Sequence, residues 1–587
     1  MIDLNSSKKN DFSLVLIAII FIQLVVGIQG FDVCDDGFVL TFYQQIFHAP
    51  SSVEYNFVYY LSGVVGGIWY ELFPKGGVLW FRFFTVIINT LKFFIAYQIL
   101  KNAIPKRLAI CACLMLLFIN NFGFLTYYHN YLTEVLLLTS IYFFTKYLKT
   151  KNLYFILLFG AITSINVFSR ITNITLFALV LSIVFYHFIK SHSFKSSFKP
   201  VLIYVLGAIL GFGFILMLLL TLNHLDILKS ALLSLFDLGS TEGSSHNVFS
   251  LLYIYFYDVK TILQQGIFLC ILSSLFVVFY NYLSKNNYLK IALCILCFLI
   301  FVHFFKKPKI HFIYAIGLIG SLVTLFHSKY NELTRTLAFI GLLVLIVLPI
   351  GSGGGVSSSG YMCLWLSLPF YGFWLYNLGD VSFSVNSLST HKAITIKKDS
   401  FKILTLIFCT AFLATKAYQI SNASYFDPGS RLEKTYAIES KLAKGVYTKQ
   451  RRATIINNVL FELNKHVQPN DYLLVFDKTP MLHFLTETRP YMYNPWVWIY
   501  DSISFKKKLQ QAEKKINSYP VVVAQKFETT FYFSNPTPDY LTTDPDNTYN
   551  IDSAKTEMLF NFLDRNDYYL AWSNAYFNIY KTAKRHH

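Results

Sequence analysis

Long apolar stretches separated by short polar ones dominate the first 418 residues, and a different rhythm takes over afterwards. A helix crossing a bilayer needs about 20 mostly apolar residues. Such runs occur at 13–31, 78–100, 108–126, 132–148, 153–170, 172–189, 201–222, 263–283, 289–305, 310–327, 336–350, 361–379 and 402–418. They predict thirteen crossings. The stretch Phe57–Phe73, with its glycines and Glu71, reads as an amphipathic helix lying in the interface. From Gln419 onward the pattern is that of an α/β domain. Helices are expected over Arg451–Val467, Ser502–Asn517 and Ser553–Asn566, and buried strands over Tyr472–Asp477 and Pro520–Ala524. One or two closing strands follow over Tyr568–Lys581. The fold class expected is therefore a polytopic α-helical membrane protein, residues 1–418, followed by a soluble α/β domain, residues 419–587.

Charge gives these crossings an orientation. Nineteen basic residues fall in loops assigned to the cytoplasmic side and eight in loops assigned outside, and Lys and Arg collect on the cytoplasmic side. The N-terminus is thus expected inside and the C-terminal domain outside, which in a bacterium means the inner membrane with the domain in the periplasm. The first run has no small-residue cleavage site and reads as an anchor. Composition agrees: of 587 residues, 55% are apolar and only 14% charged, against roughly 25% charged in a soluble domain. The net charge of +18 reflects loop lysines, so a nucleic-acid partner is excluded. Seven of the eight cysteines lie in apolar runs, where a thiol acts as a small hydrophobe, which leaves no disulfide framework.

Acids at the outer ends of the crossings are the candidate chemistry. Phe31-Asp-Val-Cys-Asp-Asp-Gly37 follows the first crossing; Asp35 and Asp36 either cap the next helix or act on a substrate at the outer face. Thr126-Tyr-Tyr-His-Asn-Tyr-Leu-Thr-Glu134 opens the fourth crossing. Glu134 there suits a helix N-terminus, and His129 is either an interfacial histidine or a ligand. Lys306-Lys-Pro-Lys309 lies on the side where basic residues are scarce, so Lys306, Lys307 and Lys309 mark either a misplaced loop or a phosphate site. Gly351-Ser-Gly-Gly-Gly-Val-Ser-Ser-Ser-Gly360 is either a flexible outer loop or a set of backbone amides for an anion.

The order of these features resembles the GT-C class of polyprenyl-phosphate-dependent glycosyltransferases, which includes the aminoarabinose transferases and protein O-mannosyltransferases. The features in question are the acidic pair, an interfacial helix, the entry Leu79-Trp-Phe-Arg82 and an acid opening the fourth crossing. The resemblance implies that Asp35 or Asp36 is the first-loop catalytic acid and Glu134 the second-loop acid. It also implies that Arg170, in Ser169-Arg-Ile-Thr-Asn173, meets the lipid phosphate. Glu134 follows Leu-Thr, where the family has Arg-Pro before an Asp. The implied activity is transfer of a sugar from a polyprenyl-phosphate donor to a glycan, lipid or protein acceptor. Asp35 or Asp36 would serve as general base, with Arg170 and the Lys306–Lys309 cluster on the departing phosphate. A divalent metal between Glu134 and a first-loop acid is a further possibility, and membrane lipids are partners in any case. A transporter or flippase for a lipid-linked glycan, or a polysaccharide polymerase or ligase, are the alternatives.

Overall fold

The computed structural model describes residues 9–119, 126–190, 195–240, 248–283, 286–306, 310–387, 390–530, 533–537, 539–544 and 552–584. Helices lie over every predicted apolar run. The early ones are α1 (Lys9–Gly27), α2 (Asp35–Gln45), α3 (Tyr60–Leu72), α4 (Gly77–Leu100), α5 (Lys106–Phe118), α6 (His129–Thr150) and α7 (Tyr154–Val167). Later ones run over Leu181–Ile189, Lys195–Thr221, Val248–Tyr282, Asn287–Lys306, Ile310–Phe326, Glu332–Val347, Leu364–Asn377 and Lys398–Asn422. Among the described residues six helices are long and apolar enough to cross a bilayer outright, and further apolar helices are shorter. The chain is an integral membrane protein.

Several boundaries move for identifiable reasons. The first crossing ends at Gly27 rather than Phe31, because Ile28–Phe31 pair with the C-terminal domain instead of continuing the helix. Tyr447 N donates to Ile28 O at 2.9 Å and Gly30 N to Tyr447 O at 2.7 Å, with Gly30 at φ 95°. The helix expected from 263 begins at Val248, and Asp258 inside it is hydrogen-bonded to His311 Nε2 and Val356 N. Strand Val381–Ser387 pairs antiparallel with Thr390–Ile396, where the sequence predicts an inner loop.

Close packing in the bundle rests on small residues, as it must where lipid removes the hydrophobic drive between helices. A Cβ on Gly160 of α7 would sit 2.0 Å from Tyr204 O, and one on Gly207 would sit 2.0 Å from Leu157 O. The two backbones touch there. The helix expected in the interface is α3, only 13 residues long: Leu61 N donates to Phe168 O at 2.7 Å at one end. Just past its other end, Gly77 packs on the Leu442 carbonyl of the C-terminal domain.

The C-terminal domain holds a five-stranded sheet in the order Tyr568–Ser573, Phe577–Thr582, Val521–Gln525, Tyr472–Phe476, Arg489–Pro490. The central pair is parallel and the two strands at one edge antiparallel. The helices Gln450–Leu463, Ser502–Lys515 and Ser553–Arg565 lie where the pattern predicted them. Strand Val521–Gln525 is buried throughout, which accounts for its unbroken apolar run. The first-loop residues Phe31, Val33 and Cys34 share one hydrophobic core with this domain.

Candidate active site

Three aspartates begin the site, and the structure divides their work. Asp32 does the capping: its two carboxylate oxygens each accept at 2.8 Å, from Cys34 N and from Asp36 N. The first turn of α2 is thereby satisfied, and Asp35 and Asp36 are released from that duty. Asp36 turns toward Arg82, 3.9 Å away. Arg82 in turn donates to Gly27 O at 2.7 Å and Gly30 O at 2.6 Å, so the predicted Leu79–Arg82 entry holds the first loop in place. Asp35 accepts from the hydroxyl of Tyr425, a residue just beyond the last long helix.

The C-terminal domain clamps the same loop from outside. Asp427 accepts from Phe31 N at 3.0 Å and Thr448 Oγ1 at 2.6 Å, and Arg452 donates to Phe31 O at 2.6 Å. Helix α2 lies against the backbone of Pro480–Met481, where a Cβ on Gly37 would come within 2.1 Å of Met481 N.

Burial sets the protonation of the acids. It pushes the Asp35 carboxyl up to about 8, with Asp32 and then Asp36 adding like-charge repulsion that Tyr425 partly offsets. Asp36 rises to about 7 by burial and by Asp32, with Arg82 opposing. Burial raises Asp32 too, against the amide bonds it accepts.

Asp35 opens on a cavity of about 600 Å³ that also takes in Tyr59, Tyr128, His129, Asn130, Arg170, Tyr361 and Tyr425. His129 stacks face to face on Tyr59, ring centroids 3.7 Å apart. Arg170 sits at the end of a buried polar lattice. Ser169 shares a 2.8 Å hydrogen bond with Thr133 and donates to Asn166 Oδ1 at 2.6 Å, while Asn173 donates to Thr133 Oγ1 at 3.0 Å. That lattice fixes the chain, yet the guanidinium Nη1 is buried without a hydrogen-bond partner. An unspent guanidinium donor on a cavity wall suits an anionic oxygen.

Two further walls complete the cavity, one of them the glycine-serine stretch that the sequence offers as a set of backbone amides. Ser352, Gly353, Gly354, Ser357 and Ser358 line the cavity, so the glycine-serine segment is part of its wall. It is braced by Asp258, which accepts from Val356 N at 2.7 Å and pairs with His311 Nε2 at 2.6 Å. Gly355 beside it has φ 53°, a left-handed geometry that glycine adopts without cost. From the C-terminal domain come Trp496 and Trp498, stacked with centroids 5.4 Å apart. Lys555 donates to Trp498 O at 3.3 Å, and Lys478 Nζ lies 5.2 Å from the Trp498 ring centre.

Of the residues singled out from sequence, Asp35, His129 and Arg170 meet in this cavity, and Asp36 lies one residue behind it. Glu134 is elsewhere: buried, it forms an ion pair with Lys92 of α4, whose Nζ also lies 4.3 Å from the Tyr131 ring centre. Lys307 and Lys309 lie outside the described residues, as does the side chain of Lys306. Among the described residues no three His, Cys, Asp or Glu side chains are grouped to hold a metal ion, and the Glu134 carboxylate is taken up by Lys92. Sequence reasoning missed Tyr425, Tyr361, Trp496 and Trp498. Only the two tryptophans carried a signal, as large aromatics beside a proline in the short connecting segment Asn494-Pro-Trp-Val-Trp498.

No protein-family model and no curated protein matches the chain. Among solved structures, the crystal structure of ArnT from Cupriavidus metallidurans bound to undecaprenyl phosphate matches with a TM-score of 0.44 and 10% identity, covering 98% of each chain.

Proposed function

We propose that the protein is a membrane glycosyltransferase moving a sugar from a polyprenyl-phosphate carrier to an acceptor hydroxyl at the extracytoplasmic face, in a bacterium the periplasmic face of the inner membrane. One observation carries this reading: a buried carboxyl, Asp35, and a guanidinium with a free donor, Arg170, line the same cavity at one end of the helix bundle. Asp35 takes the proton of the acceptor hydroxyl, and the oxygen forms the new bond to the anomeric carbon. The bond from that carbon to the phosphate oxygen breaks, and the electron pair leaves on the phosphate. Arg170 receives that charge, where a fixed donor in a water-poor site is most effective. Glu134 takes no part in proton transfer here; its ion pair with Lys92 holds α4 against α6. Among the described residues no three donors are grouped for a divalent ion, and no step is assigned to one.

The test is transfer by the purified protein from a polyprenyl-phosphate sugar donor, with carrier binding measured separately. Asp35→Asn keeps shape and removes the proton acceptor, so transfer should fall by about 10²- to 10⁴-fold, the usual worth of general acid–base assistance. Carrier affinity should change little. Arg170→Ala should weaken carrier binding as well as transfer. A flippase predicts translocation undiminished by Asp35→Asn and no transfer by the parent protein, and that outcome would replace the enzyme reading.

A further inference from the structure

We infer, resting on the transfer reaction above, that the sugar carried is uncharged, with hydroxyls and neither amino nor carboxyl group, and that Trp496, Trp498, His129 and Asn130 form its subsite. All four line the cavity with Asp35 and Arg170. Three of them keep a buried polar atom without a hydrogen-bond partner: Trp496 Nε1, His129 Nδ1 and Asn130 Oδ1. Buried polar groups are nearly always paired, so three orphans on side chains that line one cavity point to a ligand toward which these side chains turn to find their partners. Between them they offer a fixed N–H donor, a carbonyl acceptor and a ring nitrogen of either role. A set of sugar hydroxyls, each both donor and acceptor, satisfies all three. The amide of Asn130 is oriented by its other end, which donates to the Tyr361 hydroxyl, and the His129 ring by its stack on Tyr59. The stacked indoles give an apolar face with a polar edge, the match for the C–H face of a pyranose.

Charge decides the class. The described lining holds a single carboxyl, Asp35, and a single cation, Arg170. Asp35 already accepts from Tyr425 and has the acceptor proton to take, and Arg170 has the phosphate to hold. A sugar ammonium would find no uncommitted carboxylate and would lie in the field of Arg170. A sugar carboxylate would compete with the phosphate for the same guanidinium.

Equilibrium binding to the purified full-length protein separates the possibilities, with three probes: polyprenyl phosphate, polyprenyl-phosphate glucose and polyprenyl-phosphate 4-amino-4-deoxyarabinose. The glucose carrier should bind about tenfold or more tighter than the bare carrier, and the amino-sugar carrier no tighter than the bare one. Trp496→Phe keeps an aromatic ring but deletes the N–H with its five-membered ring, so it should remove about tenfold or more of the glucose increment and leave bare-carrier binding unchanged. His129→Gln is the second variant, expected to cut the same increment, with thermal melting confirming that each folds. Tightest binding of the amino-sugar carrier, or a glucose increment untouched by both variants, overturns the inference while the transfer reading stands. Absence of binding by all three probes, or bare-carrier binding unaffected by Arg170→Ala, overturns the transfer reading and this inference with it.

Discussion

Asp35 and Asp36 are adjacent in sequence and chemically alike, yet their surroundings separate them. Asp36 faces Arg82 and stays off the cavity; Asp35 lines it. Burial first, then the charges of Asp32 and Asp36, lift the Asp35 carboxyl to about 8. A base works only in its deprotonated form, so activity should be lost as pH falls through that value. The pH dependence of kcat/KM for transfer should therefore show an ascending limb near 8, a value belonging to the coupled cluster as a whole. Asp36→Asn deletes one of the repelling charges and should move that limb to lower pH while keeping most of the rate. A limb that moves upward in Asp36→Asn would remove Asp35 from the proton-accepting role.

At the scale of elements, α2 is what joins the membrane bundle to the C-terminal domain, and its fit depends on the absence of one side chain. Gly37 lets the first turn lie against the backbone of Met481, and Val33 O accepts from Met481 N at 3.1 Å beside it. A methyl group there meets backbone, which cannot rotate away, and overpacking of this kind costs roughly 1–3 kcal/mol. Gly37→Ala should lower the melting temperature of the detergent-solubilised protein and loosen the Asp35 loop, so transfer should fall more than the lost stability alone explains. An unchanged melting curve would show that the two units are not packed this tightly. The brace from Asp258 to His311 and Val356 does comparable work for the glycine-serine wall, bridging helices over fifty residues apart in sequence.

Across the whole molecule, the crossing count and the cavity test each other. The alternation of sides puts Asp35, His129, Arg170, Ser352–Ser358 and Tyr425 all on one side, since each follows an odd-numbered crossing. The structure brings all five segments to one cavity. The opposite side is equally consistent: Lys190 lies 3.8 Å from Glu332, and Lys397 N donates to Asn281 Oδ1 at 2.9 Å. An interfacial α3 preserves this agreement, since a crossing there would put Asp35 opposite the other four segments; its ends meet Phe168 and, through Gly77, Leu442. A reporter fused after His587 should read extracytoplasmic and one inserted near Lys195 cytoplasmic. Two reporters on the same side would break the thirteen-crossing count.

Much of this was legible in the order of residues because it depends on local physics. Helices in lipid must satisfy their own backbone and cover themselves with apolar side chains, so their number and rough limits are written as apolar runs. The α/β rhythm of the tail follows from periods of 3.6 and 2. The lysine bias gives an expected direction for the same local reason, which the two reporters test. What pairs with what is another matter, because it joins positions hundreds of residues apart. The residues Asp35 and Arg170 could be named as candidates; that they share a cavity, with Tyr425 on the acid and two tryptophans beside it, follows from packing alone. Glu134 shows the same limit from the other direction. Its place at the outer end of an expected crossing marked it as a candidate, and only the approach of α4, bringing Lys92 to it, made it half of an ion pair. Asp32, the least conspicuous acid of the three, took the capping role because the chain turns back on itself there. Local sequence dictated the elements, and the long-range contacts between them decided which charges are free to do chemistry.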